Sequence, residues 1–146
     1  MAESVEETRL TVRRTIPARR EKVFDAWLDA EGMRTWMAPG MAQGATAEIE
    51  PRVGGAFRIV MHGTDRDYDH RGVYRVLDRP SKIVFTWVSD GTNRRESLVT
   101  IELHERGEET EVVLTHEGLP DRKRTEDHAE GWTRIVELLA KHLAPK

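Results

Sequence analysis

The sequence predicts an α+β domain in which a curved antiparallel sheet of about seven strands wraps around one long C-terminal helix. Three observations lead there. Between residues 44 and 118, short segments with apolar residues in one register alternate with turn-forming clusters. From residue 128 the apolar positions step by three or four, as on one face of a helix. The connections between the strand segments are short, so consecutive strands form hairpins and the sheet is an antiparallel meander.

Each element follows from its pattern. In residues 6–16, Leu10, Val12 and Ile16 share one parity, which suits a half-buried strand ended by Pro17. Val23, Phe24, Trp27 and Leu28 then form one apolar stripe on a first short helix, which Gly32 is expected to end. A second short helix carries Met33, Trp36 and Met37 and stops at Pro39. Six strands are expected at 45–50, 55–62, 69–78, 82–89, 94–105 and 110–117. Their separators are Gly54-Gly55, Gly63-Thr64-Asp65, Arg79-Pro80-Ser81, Asp90-Gly91 and Arg106-Gly107. His128, Trp132, Ile135, Val136, Leu139 and Leu143 line one face of the closing helix. Gly131 lies inside that helix at a cost of about 1 kcal/mol against alanine, which suggests close packing at that point.

Composition narrows the function classes. A chain of 146 residues fits one domain, 1–146, with a single core. With no cysteine, disulfides and thiolate chemistry are excluded. A net charge of −3, from 23 basic and 26 acidic residues, leaves no nucleic-acid footprint. The basic residues Arg13, Arg14, Arg19, Arg20 and Lys22 are interrupted by apolar and acidic ones and read as solvated faces. No apolar run is long enough to span a bilayer, and the acidic start lacks the features of a signal peptide, so a cytoplasmic location is expected, with no membrane partner. The six histidines show no metal-ligand spacing. The D-R-D-Y-D stretch at 65–69 lacks the glycine and glutamate of a calcium loop and is expected to be a solvated hairpin tip. No metal or other cofactor is expected.

An ordered set of short motifs extends along nearly the whole chain. It comprises I-P-A-R-R-E-K-V-F-D-A-W at 16–27, Trp36 with Pro39, V-G-G-A-F at 53–57 and G-V-Y at 72–74. It continues with P-S-K-I-V-F-T-W at 80–87, T-H-E-G-L-P at 115–120 and H-A-E-G-W at 128–132. In this set the chain resembles the SRPBCC (START-like) superfamily, and within it the family similar to the C-terminal domain of the activator of heat-shock-protein-90 ATPase. The resemblance implies the helix-grip fold and a hydrophobic cavity. It implies no particular reaction, because superfamily members include lipid and hormone binders, cyclases and oxygenase subunits.

One helix cannot fill the concavity of a strongly curled sheet, and the remainder is an apolar pocket. The residues expected to line it are Trp36, Met37, Met41, Phe57, Ile59, Met61, Tyr74, Phe85, Trp87, His128, Trp132 and Ile135. Trp36 and Met41 are placed at the mouth. His128 is the one titratable group on the inward stripe, and Ser97 and Thr115 are further polar candidates inside the sheet. Glu117 and Asp121 are close enough in sequence for a carboxylate pair near the last turn, but nothing in the sequence predicts a shifted pKa there, so no general-base role is assigned to them. No catalytic residue is assigned. The expected partner is a small apolar or amphipathic ligand. The alternatives are a chaperone partner, as the resemblance implies, and cyclase- or hydrolase-type chemistry on His128. A homodimer is compatible with the sequence, which contains nothing that compels it.

Overall fold

In a computed structural model, residues 2–38 and 44–145 are described. The element order is β1 (Ala2–Val5), β2 (Arg9–Ile16), α1 (Arg20–Ala26), α2 (Ala30–Trp36), β3 (Ala45–Ile49), β4 (Ala56–His62), β5 (Asp67–Asp78) and β6 (Lys82–Trp87). A single 3-10 turn at Asp90–Thr92 precedes β7 (Ser97–Arg106), β8 (Glu109–Glu117) and α3 (Arg122–Leu143). The strands make one curved antiparallel sheet in the order β1-β2-β8-β7-β6-β5-β4-β3. The helix-grip architecture is therefore present, with α3 held in the concave face.

Strand parity decides which side chains meet α3. Leu10, Val12 and Ile16 of β2, Val99, Ile101 and Leu103 of β7, and Val112 and Leu114 of β8 are all buried. Trp132, Ile135, Val136, Leu139 and Leu143 on α3 close against them. Truncating a large residue in such a core costs about 3–5 kcal/mol. The helix starts at Asp121, whose carboxylate accepts the Arg124 backbone N–H at 2.8 Å. Asp121 is thus a cap, not half of a carboxylate pair with the exposed Glu117.

Three local expectations are corrected. The sheet has eight strands, because residues 2–5 pair with β2, with Glu3 opposite Val12. Four residues without alternation give no local signal, and this strand exists only because an open edge lies beside it. The first helix ends at Trp27, and Gly32 lies inside α2, where a side chain would meet Asp29 and His142. Gly131 is not closely packed: a β-carbon there would find no atom within 4 Å.

The sheet curls at β5. Its register against β6 shifts between Tyr74 and Val76, and the Val73 N–H is taken by the Thr86 hydroxyl at 2.9 Å. Gly72 is required at this bend, since a β-carbon would overlap the Thr86 carbonyl and the Phe57 ring. Alanine should therefore have opposite effects at the two glycines. Gly72→Ala is expected to lower unfolding stability by several kcal/mol, on the order of an overpacked core. Gly131→Ala is expected to raise it by about 1 kcal/mol through helix propensity. Urea unfolding of both variants checks the pair.

Candidate ligand-binding cleft

The concave side of the sheet is filled at one end and open at the other. At the filled end α1 and α2 supply Trp27 and Trp36, whose rings meet edge to face at 4.9 Å. Trp27 also approaches Trp132 at 6.4 Å. At the open end, between α3 and strands β4 to β6, lies a cleft of about 500 Å³. Met61 of β4, Tyr68, Asp69 and His70 of β5, and Trp87 of β6 form its sheet wall. Arg124, Asp127, His128, Gly131, Trp132 and Ile135 of α3 form the other. Ser89, Asp90 and Gly91, beside the 3-10 turn, and Arg66 from the β4–β5 connection complete the mouth.

A buried polar relay stands behind the aromatic wall. The Trp132 indole N–H donates to His116 Nδ1 at 2.9 Å. Nδ1 therefore accepts, so the proton of the neutral ring is on Nε2, which donates to Ser97 Oγ at 2.8 Å. The Ser97 hydroxyl in turn donates a hydrogen bond to the Trp87 carbonyl oxygen at 2.6 Å. Trp87 and Trp132, the two ends of this relay, meet at a tilt with centroids 5.0 Å apart and floor the cleft. His116 is fully buried, and that burial, with His128 nearby, holds its pKa well below the ordinary 6.5.

Two further imidazoles reach the cleft itself. His128 Nδ1 lies 2.7 Å from the Arg124 carbonyl oxygen, and its ring meets that of His116 edge to face at 5.1 Å. Burial lowers its pKa against the opposing pull of that carbonyl. His70 lies over Trp87 at 4.8 Å, with Nδ1 3.3 Å from the Ile59 carbonyl. Burial pushes His70 down to about 4. All three rings are neutral at pH 7.

The mouth is charged, and its carboxylates are paired. Asp90 accepts from Arg66 at 2.9 Å and from Arg94 at 2.7 Å, and these cations keep its pKa low. Arg124 donates to the Asp90 carbonyl at 2.8 Å, and Arg66 also covers the Tyr68 ring at 4.8 Å. Asp69 pairs with Arg58 and Arg71, which outweigh the effect of its burial and lower its pKa. Asp127 pairs with Lys123 at 3.0 Å. Among the described residues, no three His, Asp or Glu side chains gather as a metal site would need.

The sequence profile described as activator of Hsp90 ATPase homolog 1-like protein matches residues 17–144. This chain belongs to that family. Solved structures support the same fold for this member of the activator of Hsp90 ATPase homolog 1-like family. A protein of Chromobacterium violaceum superimposes with a TM-score of 0.80 at 22% identity, covering 95% of this chain and 99% of that one. CalU16 of Micromonospora echinospora gives 0.73 at 18% identity, covering 99% and 88%. An HSP90 activator of Plasmodium falciparum gives 0.69 at 25% identity, covering 87% and 89%. No curated protein matches the chain. No helix among the described residues is long and apolar enough to cross a membrane.

The structure divides the residues expected at the pocket of this family member into two groups. Met61, Trp87, His128, Trp132 and Ile135 are on the cleft wall. Phe57, Tyr74 and Phe85 pack on one another at 5.3–6.2 Å in the core, with Ile59 buried beside them. Trp36 is not at the mouth; it and Met37 are each 1% exposed beneath the short helices. Met41 lies outside the described residues. Thr115 faces the outer side, between Thr11 and Thr100 on neighbouring strands, and its neighbour His116 is the inward residue. The parity of Val112 and Leu114 already pointed to His116. His70 fell in the expected strand 69–78 without being singled out, while the stretch 65–69 read as a hairpin tip instead enters β5 at Asp67.

Two stability measurements follow. The three imidazoles bind protons more readily in the unfolded chain, so acidification favours unfolding. Stability is expected to be full above pH 6.5 and to fall as pH drops toward about 4, with a slope of up to about 1.4 kcal/mol per pH unit for each ring. The paired carboxylates Asp69 and Asp90 titrate below 3.8 and lie outside this window. Denaturant midpoints across the range measure the slope, and a flat profile contradicts neutral burial. Ser97→Ala leaves the His116 N–H without an acceptor and is expected to cost about 1–3 kcal/mol at neutral pH.

Proposed function

We propose that this protein binds a small, largely apolar molecule in the cleft between α3 and strands β4 to β6. The observation that supports this is the open space of about 500 Å³ against Trp87, Trp132, Met61 and Ile135. A cavity of this size falls in the range of small-molecule sites, about 300–1,000 Å³. The wall is mostly carbon, so burial of ligand surface supplies the affinity, at about 25 cal/mol per Å². After the cost of association, a ligand covering both indoles is expected to bind with a Kd on the order of micromolar.

Gly131 provides the test. Its missing side chain opens the cleft, and nothing of the core lies within 4 Å of it. Gly131→Trp is expected to fill the space while leaving the denaturant midpoint close to that of the parent. Native mass spectrometry of gently purified protein, and quenching of tryptophan emission by apolar aromatic probes, should then show ligand in the parent chain and none in the variant. A parent chain that is always empty and responds to no probe contradicts the reading.

A second reading is a chaperone partner. It is favoured by the family match and by the likeness to the Plasmodium falciparum HSP90 activator. The convex sheet face or the edge strand β1 would then carry the contact. An Hsp90 ATPase assay decides it: accelerated turnover on addition of this chain is expected, and unchanged turnover removes the reading.

A further inference from the structure

The tautomers of the two cleft imidazoles define which hydrogen bonds a ligand can make. A carbonyl oxygen only accepts, so the Nδ1 of His128 that faces the Arg124 carbonyl carries the ring proton. The same holds for His70 against the Ile59 carbonyl. In each neutral ring the lone pair is then on Nε2. Neither Nε2 has a hydrogen-bond partner among the described residues, and neither is sealed from solvent, unlike the unpartnered indole nitrogens of Trp27, Trp36 and Trp87. Both rings line the cleft.

The donors on the cleft floor are already in use, and the guanidiniums at the mouth are anchored to Asp90. The Trp132 N–H is held by His116, and the Trp87 N–H is sealed in the core. Arg66 is held by the Asp90 carboxylate and Arg124 by the Asp90 carbonyl. The hydroxyls of Tyr68 and Ser89 can act either way. The free polar capacity of the wall is therefore weighted toward acceptors, set among aromatic faces.

We propose that the cleft selects uncharged ligands with an apolar, ring-like body bearing a hydroxyl or similar hydrogen-bond donor, which docks on Nε2 of His128 with Nε2 of His70 as a second acceptor. This rests on the cleft being a binding site. An anion finds guanidiniums only at the mouth, each already bonded to Asp90, and lone pairs within, and a ligand without a donor leaves both acceptors dry and unpaired.

Four probes sharing one ring system test it by calorimetry on the full chain at neutral pH: naphthol, methoxynaphthalene, naphthoate and naphthylmethylamine. Naphthol is expected to bind about tenfold tighter than methoxynaphthalene, the value of one hydrogen bond to an otherwise unpaired acceptor. In His128→Leu the ratio is expected to fall, and in the double variant His70→Leu/His128→Leu to come close to one, through weaker naphthol binding alone. Equal affinities for naphthol and methoxynaphthalene in the parent chain, or a ratio that survives in the double variant, overturn donor selection and leave cleft binding standing. Tightest binding by naphthoate or naphthylmethylamine also overturns it, because recognition then lies with the charged mouth. Binding by none of the four overturns both this proposal and the cleft reading.

Discussion

The structure depends on one buried polar chain, from the Trp132 indole through His116 and Ser97 to the carbonyl of Trp87. It joins α3 to β8, β7 and β6 in a region with no access to water. Hydrophobic contact alone is non-directional and would let the helix slide along the sheet. The relay sets one register, because a shift leaves an N–H or a carbonyl unpaired in a low-dielectric core. It also keeps His116 neutral, since a proton on Nδ1 would face the Trp132 N–H donor. The two tryptophans it orients become the floor of the cleft.

The position of the cleft follows from where the short helices sit. α1 and α2 cover one end of the concave face, and their tryptophans continue the aromatic column that Trp132 and Trp87 begin. Among the described residues nothing equivalent covers the other end, and Gly131 adds no side chain to it. The charged residues at the mouth are paired with one another across the β4–β5 connection, the 3-10 turn and the start of α3. They tie the three segments of the mouth together.

The fold class was legible because two periodicities alternate cleanly along the chain. Parity assigned the inward face of β2, and the spacing of three and four assigned α3. The candidate site was only half legible. Periodicity distinguishes inward from outward but not core from cavity, so Phe57, Tyr74 and Trp36 looked no different from Met61 and Trp87. Thr115 and His116 differ by one position, and only the register of Val112 and Leu114 separates them.

The sequence by itself determined the layers: which segments are strands, which are helices, and which face of each is oily. That information is local, carried by side-chain spacing and turn chemistry within a few residues. Tertiary structure alone decided where the oily faces stop meeting. Edge strand β1, the relay through His116 and the opening beside Gly131 each arise from groups far apart in the chain. Their chemistry depends on what lies across the sheet, and no local pattern records that.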